Sequence, residues 1–143
     1  NHQIDMELVD KIAEEFVRRY EGCPITKVLT IEASGIAIAC AVARELGVIL
    51  LRKGHRTLIT DGCECWENHT GNPGMATGGS GDVLAGMIGS LVAQGVPPYS
   101  AAVCGVYLHG AAGDVAAAKH SQRGMLPTDL IEELGSLFLQ FEK

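Results

Sequence analysis

The segment of the chain best suited to chemistry is a glycine-rich turn with a carboxylate directly after it. Gly78, Gly79 and Gly81 precede Asp82 within a few residues. Glycine lets the backbone take positive φ, which we expect at Gly81, and keeps side chains out of a ligand's way. A helix beginning here would present N–H groups without intrahelical partners at the positive end of its dipole. The pattern therefore predicts an anion site, suited to a phosphoryl group in transfer, with Asp82 beside it.

The same carboxylate also has a purely structural interpretation. Asp82 would lie in the first turn of the helix, where an acidic side chain stabilises the helix by about 1 kcal/mol. For a short glycine–aspartate pattern standing alone, this structural role is the more economical interpretation. The choice between the two roles therefore depends on the surrounding sequence.

A second polar segment follows a run of apolar residues, Val48–Arg52, that reads as a buried strand. Lys53 at the end of this strand could reach phosphate groups, and Gly54 would let a ligand approach the backbone. A lysine–glycine turn is also common on protein surfaces. The segment supports a nucleotide site only in combination with the glycine turn about 25 residues further on.

The elements that would position these segments follow an α/β order. Apolar spacing and breakers predict helices over residues 6–20, 82–94, 100–119 and 129–141, and a further helix that Ser34 or Gly35 could cap and that runs to residue 46. They predict strands over residues 27–31, 48–52 and 57–61, and a polar hairpin or edge over residues 62–70. Strands first and helices last indicate an α/β fold with a helical C-terminal layer. The strands at 48–52 and 57–61 are apolar enough to be covered on both faces, as parallel strands are.

Composition excludes several classes of protein. A net charge of −6 and a pI near 5.3 argue against nucleic-acid binding, which needs a basic surface. The polar and charged first twenty residues are unlike a signal peptide, and no membrane span is predicted. Five unevenly spaced cysteines indicate a reducing compartment, the cytoplasm. Cys63, Cys65 and His69 lack the spacing and the fourth ligand of a zinc site, so we predict no metal site built from side chains.

The residues around the turn carry a specific resemblance. The stretch NPGMATGGSGDVLAG, residues 72–86, resembles the signature of the ADP-dependent NAD(P)H-hydrate dehydratases, members of the ribokinase-like superfamily. In that family the aspartate is the catalytic base and the glycines form the anion hole, which implies that Asp82 is the base and also contacts the substrate. The resemblance implies a nucleotide site made of Lys53, Gly54, His55, Arg56, Thr57, Asn72, Pro73, Gly74, Met75, Ala76, Thr77, Gly78, Gly79, Ser80 and Gly81.

Other matching positions lie at the start of the chain and in its last third. NHQIDM, residues 1–6, resembles the family segment whose histidine holds the hydrated nicotinamide, which implies a substrate contact for His2, although Asp5 stands where the family more often has Glu. The motif HGAAGD, residues 109–114, and the run Arg123-Gly124-Met125 with Thr128 and Asp129 match two further family patterns. For these we expect packing and capping near the nucleotide.

The resemblance implies a ribokinase-like three-layer α/β/α sandwich, with residues 1–143 as the C-terminal, nucleotide-binding part of a single domain. It implies a hydro-lyase that uses ADP or ATP with Mg²⁺ to dehydrate NADHX and NADPHX, by phosphorylating the hydrate and eliminating phosphate. The alternatives are a small-molecule kinase of the same superfamily and a non-catalytic nucleotide-binding module. Relatives are about twice as long, so we expect a homo-oligomer or a second chain that supplies the missing N-terminal half.

Overall fold

The computed structural model describes residues 5–23 and 36–141. These residues form two compact units. The first unit contains the described residues up to Gly54 together with Leu58–Glu67, and the second contains His55–Thr57 and the chain from Asn68 onward. The strand expected at residues 27–31 and the cap expected at Ser34 or Gly35 lie outside the described residues.

The first unit begins with two packed helices, α1 (Met6–Arg19) and α2 (Ile36–Leu46). Helix α1 begins at Asp5, whose carboxylate accepts a hydrogen bond from the Leu8 amide at 3.2 Å and so caps an unpaired donor. Small and β-branched side chains join the helices in a buried cluster of Val9, Ala13, Ala41 and Val42. On the surface of α1, Arg18 and Arg19 both bind Glu15 at 2.8 Å and lower the pKa of its carboxyl to about 2.

A three-stranded sheet completes the first unit. Its strands β1 (Leu50–Arg52), β2 (Leu58–Thr60) and β3 (Cys65–Glu67) pair antiparallel in the order β1-β2-β3. Ile59, opposite Leu51 and Trp66, is fully buried at the centre. The expectation of parallel strands is therefore wrong. Only residues 53–57 join β1 to β2, whereas a parallel crossover needs a dozen or more residues.

The second unit contains a single 3₁₀ turn (Pro73–Met75) and three helices, α3 (Ser80–Ala93), α4 (Pro98–Gly124) and α5 (Pro127–Phe141). Its core joins α4 and α5 through Ala112, Ala116, Met125, Leu130 and Leu137. The helices lie where the sequence predicts them, with shifts at their ends. Helices α3, α4 and α5 each begin two residues before the predicted start. Helix α4 also continues past residue 119 through a kink at Ser121, which has φ 65° and ψ 159°.

Helix α4 carries mostly small residues on its buried face, which lets other segments approach its backbone closely. A Cβ placed on Gly105 would lie 2.6 Å from Ile88 Cγ1 of α3. The helix is also long and apolar enough for a membrane span, with a mean hydropathy of 1.2 over its most apolar 18 residues, half of which are buried. Because the core helix of a folded domain meets the same criteria, this property does not indicate a membrane.

Two glycine substitutions in the second unit should have opposite effects on stability. In Gly110→Ala, the new Cβ would lie 2.7 Å from the carbonyl carbon of Thr70, and this overpacking should lower the free energy of unfolding by about 1–3 kcal/mol. In Gly86→Ala, the Cβ would meet no atom within 4 Å, so the gain in helix propensity should raise stability by roughly 0.5–1 kcal/mol. Urea unfolding of both variants measures the difference, and equal stabilities would contradict the close approach at Gly110.

Candidate active site

The loop before α3 is fastened to α4 by polar side chains at its first residues. Asn72 donates from Nδ2 to the Gly113 carbonyl oxygen at 2.9 Å and to Asp114 Oδ1 at 3.1 Å. The Gly71 amide donates to Asp114 Oδ2 at 2.9 Å. The Asn72 Oδ1 atom also accepts from the Gly74 amide at 3.0 Å, which caps the 3₁₀ turn. The two side chains together fix the direction in which the loop leaves α4.

Close packing fixes the 3₁₀ turn at the same place. A Cβ on Gly74 would lie 2.7 Å from Met125 Sδ and 2.8 Å from Gln122 Cα, so only glycine fits there. A Cβ on Gly113 of α4 would likewise lie 2.8 Å from Met75 Cγ. The backbone that crosses Gly74 therefore requires glycine there, and Met75 packs closely over Gly113, so the turn lies directly against α4.

Before α3 begins, the backbone turns at a left-handed glycine. Gly79 has φ 93° and ψ −24°, a conformation that L side chains rarely adopt. Its carbonyl oxygen accepts from the amides of Asp82 at 3.0 Å and Val83 at 3.1 Å. The prediction of a positive φ at Gly81 is therefore wrong. Gly81 lies inside α3, and Gly79, two residues earlier, has the positive φ and makes the turn.

One amide at the start of the helix is available to a ligand. The Ser80 amide donates to the Thr77 carbonyl oxygen at 3.4 Å, and the amides of Asp82 and Val83 donate to Gly79. Within the described part of the chain, the Gly81 amide has no hydrogen-bonding partner. A free amide at the positive end of a helix dipole favours an anion.

The surface around this amide is open on one side. Ala76, Thr77, Gly78, Gly79 and Asp82 are exposed, and a Cβ on Gly78 would meet no atom within 4 Å. Ser80 and Leu84, one turn apart, are the buried residues of α3. The arrangement therefore presents a carboxylate and an amide donor on an exposed part of the surface.

A buried histidine of α4 contacts the first residue of α3. His109 of α4 is 7% exposed, and its Nε2 atom lies 2.8 Å from the Ser80 carbonyl oxygen and 3.3 Å from Ser80 Oγ. The sequence indicates only packing or capping for His109, because a lone histidine among small residues does not show which residue it contacts. The sequence also gives no indication of the role of Asn68. This residue is 5% exposed, and its side chain donates from Nδ2 to the Thr70 carbonyl oxygen and accepts at Oδ1 from the Thr70 amide.

The remaining positions predicted from the sequence divide between the two units. Lys53 and Gly54 follow β1 in the first unit, whereas His55, Arg56 and Thr57 belong to the second. Lys53, Gly54, His55 and Arg56 are exposed, and the Thr57 carbonyl accepts from the Asn68 amide at 2.9 Å. His2, the predicted substrate contact, lies outside the described residues.

Of the matched positions in the last third of the chain, Met125 has a packing role and Asp129 a capping role. Met125 is buried in the core of the second unit. Asp129 Oδ2 accepts from the Leu126 amide at 2.7 Å, which satisfies a donor at the start of α5. Arg123, Gly124 and Thr128 are exposed.

The described polar side chains outside the glycine turn do not form a metal site or an activated nucleophile. Among residues 5–23 and 36–141, no group of three or more His, Cys, Asp and Glu side chains is placed to hold a metal ion. Burial, and next the nearby Cys65, raise the pKa of the Cys40 thiol, which keeps it protonated and a poor nucleophile. The chemistry available to the described residues therefore centres on the glycine turn and Asp82.

Comparison with known proteins places this geometry in a family. Residues 13–136 match the family described as NAD(P)H-hydrate dehydratase. The bifunctional NAD(P)H-hydrate repair enzyme Nnr of Moorella thermoacetica is 48% identical over 120 residues, which cover 82% of this chain and 22% of the relative. The ADP-dependent (S)-NAD(P)H-hydrate dehydratase of Neisseria meningitidis is 47% identical over 91 residues, which cover 63% of this chain and 31% of the relative.

Solved structures agree with the sequence matches and confirm the predicted fold class. An ADP/ATP-dependent NAD(P)H-hydrate dehydratase from Bacillus subtilis, co-crystallised with ATP/Mg²⁺, has a TM-score of 0.65 and 35% identity, covering 69% of this chain and 36% of that one. A ribokinase-like superfamily protein from Enterococcus faecalis has a TM-score of 0.64 and 37% identity, covering 74% of this chain and 37% of that one. The chain thus spans between a fifth and two fifths of the length of these proteins.

A branched side chain at Gly81 should abolish nucleotide binding without unfolding the protein. In Gly81→Val the side chain would stand beside the free amide and obstruct a phosphate, while the left-handed turn at Gly79 would be untouched. We expect isothermal calorimetry to detect no binding of ADP or ATP, with the far-UV helix signal retained. Gly89→Ala on the same helix, where a Cβ meets nothing within 4 Å, is the control that should bind normally. Unchanged affinity in Gly81→Val would refute the anion site.

Proposed function

The chain belongs to the NAD(P)H-hydrate dehydratase family, and we propose that it carries the nucleotide-binding and catalytic part of an enzyme that returns hydrated NADH and NADPH to the intact cofactors. The observation that carries the proposal is the start of α3, where the free Gly81 amide and the exposed Asp82 carboxylate lie within two residues of each other. Relatives of this chain are named as ADP-dependent dehydratases of the same substrates.

In the proposed reaction, Asp82 acts as a general base. Its carboxylate takes the proton of the hydroxyl group on the hydrated nicotinamide ring, whose oxygen forms a bond to the terminal phosphorus of ADP or ATP. The bond from that phosphorus to the bridging oxygen breaks, and AMP or ADP leaves. Loss of the new phosphate ester as inorganic phosphate, with loss of a ring proton, restores the double bond of NADH or NADPH.

The glycine turn supplies the electrostatic part of catalysis. The Gly81 amide and the N-terminal end of α3 face negative charge that builds up on the phosphoryl group during transfer. Mg²⁺ prefers carboxylate and phosphate oxygens and would neutralise phosphate charge when bound. Asp82 is the described side chain at this turn that offers such an oxygen.

The remaining nucleotide contacts stay predictions from the resemblance. We propose that Lys53 and the residues up to Thr57, together with the loop from Asn72 to Ser80, line the nucleotide. Exposure of Lys53 and Arg56 supports this assignment, because cationic side chains in solvent can reach phosphate groups. His2 is proposed to contact the hydrated nicotinamide.

A spectroscopic assay tests the proposed reaction directly. NADHX is supplied with ADP or ATP and Mg²⁺, and the absorbance of the reduced nicotinamide is followed while phosphate release is measured. Recovery of absorbance that requires the nucleotide supports the dehydratase. Transfer of phosphate to another alcohol without recovery of NADH would indicate a kinase of the same superfamily, and binding of nucleotide without turnover would indicate a non-catalytic module.

Replacement of the proposed base should lower turnover much more than nucleotide affinity. In Asp82→Asn the backbone anion site is unchanged, so the dissociation constant for ADP should stay within a few-fold, whereas kcat should fall by on the order of 10²–10⁴. Glu132→Gln, on the exposed side of α5, is a charge-matched control that should retain full activity. If Asp82→Asn turns over at the wild-type rate, the assignment of the base is wrong.

We also propose that the chain works in the cytoplasm and in association with another polypeptide, either a second copy or one that supplies the rest of the ribokinase-like fold. All five cysteines are free thiols, as in a reducing compartment. Ile131, Phe138 and Leu139 of α5 are each between 45% and 66% exposed, which is an unusual amount of apolar surface for one helix.

Light scattering measures whether the chain associates. We expect residues 1–143 alone to give a mass well above the 15.1 kDa of a single chain, or to precipitate, because exposed apolar surface drives association. Phe138→Ser should reduce that association. A monodisperse monomer with a cooperative thermal transition would contradict the proposal.

A further inference from the structure

His109 holds the first residue of α3 through a hydrogen bond whose direction can be worked out. A carbonyl oxygen only accepts, so the 2.8 Å contact between His109 Nε2 and the Ser80 oxygen requires a proton on Nε2. With that proton in place, Ser80 Oγ at 3.3 Å must also act as an acceptor toward the ring. The imidazole therefore donates to both oxygens of Ser80, and its tautomer is fixed by the position of the carbonyl group.

This contact is stronger than the backbone bond that holds the same residue. The Ser80 amide reaches the Thr77 carbonyl oxygen only at 3.4 Å, at the long limit for an N–H···O hydrogen bond. The His109 bond is 0.6 Å shorter and is buried from solvent, where hydrogen bonds are electrostatically stronger. The position of Ser80 is therefore set from α4 more than from the loop itself.

Fixing Ser80 also fixes the direction of Asp82. Ser80 and Leu84 are four residues apart and share the buried face of α3. Asp82, two residues after Ser80, lies on the opposite side of the helix and is exposed. A rotation of the first helical turn would move Asp82 and the free Gly81 amide together, and the His109 contact opposes that rotation.

We propose that His109 is a positioning residue for the phosphoryl-transfer site, acting through Ser80 to set the orientation of Gly81 and Asp82. The effect of this role on catalysis rests on the proposed function, whereas the contact between His109 and Ser80 is independent of that function. His109 touches neither the nucleotide nor the hydrated cofactor in this role. Its part is to keep the proposed base aligned with the amide that faces the phosphoryl group.

Two substitutions at His109, made in the intact protein, separate positioning from packing. His109→Phe keeps the volume of the ring and removes the donor, whereas the amide nitrogen of His109→Gln can return a donor near the position of Nε2. Misalignment should lower kcat of His109→Phe by about 100-fold. The KM for the nucleotide should change by no more than about 3-fold, because phosphate moves with the amides that bind it. His109→Gln should recover kcat to within about 10-fold of the wild type.

A control variant on the same helix shows how a loss of stability alone affects turnover. Lys119 binds the buried carboxylate of Glu133 at 2.7 and 2.8 Å, away from the glycine turn, so Lys119→Met should destabilise the second unit while leaving kcat per folded molecule unchanged. If His109→Phe also keeps its kcat per folded molecule, or if His109→Gln is no better than His109→Phe, His109 has only a packing role and the proposal is overturned.

Nuclear magnetic resonance tests the contact without any activity. Imidazole nitrogen shifts should show Nε2 protonated throughout the neutral range, and an Nε2 atom without a proton would overturn the proposal. The amide signals of Gly81 and Asp82 should shift in His109→Phe and return toward wild type in His109→Gln, whereas signals unmoved by His109→Phe would overturn it too. A wild-type protein that fails to restore NADH would refute the proposed function but leave these two measurements able to decide the role of His109.

Discussion

The candidate site depends on the bare backbone of one stretch of α4. All four residues between His109 and Asp114 of this helix are glycine or alanine, and the loop before α3 crosses it at van der Waals distance. Thr70 packs against Gly110, and Met75 packs against Gly113. Because the loop can approach so closely, Asp114 and His109 reach its two ends with short hydrogen bonds. The glycine turn of the candidate site is thus shaped by helix α4.

The proposed anion site is built from the backbone, which would let an acidic chain bind a polyphosphate. The net charge is −6, so the overall field does not attract a nucleotide. At the start of α3 the field is reversed locally by the helix dipole and the free Gly81 amide. A backbone site of this kind would leave the nearby carboxylate of Asp82 to act as the proposed base.

The sequence predicts the helices well and the tertiary contacts poorly, for identifiable reasons. Apolar periodicity and proline or glycine breakers are local signals, and they place α1, α3, α4 and α5 to within a few residues. The direction of the strands was predicted wrongly, because apolar composition reports burial and not pairing, whereas the short connection between β1 and β2 decides the direction. The left-handed glycine was assigned to Gly81 instead of Gly79, since three neighbouring glycines satisfy the pattern equally. The contact of His109 with Ser80 spans 29 residues, and no local pattern encodes it.

Helix α4 has a consequence for how this protein tolerates change. Its residues Ala112 and Ala116 form the centre of the core, while His109 and Asp114, within the same two turns, fasten the loop. Core and site therefore share one cooperative unit, and the site keeps its shape for as long as the core remains folded. Because the two ends of the loop are already ordered, a ligand would lose little binding free energy to ordering them. Substitutions in this stretch are therefore constrained in two ways at once. A single added methyl group there would change both the stability of the core and the shape of the candidate site, so the two properties cannot evolve separately at these positions.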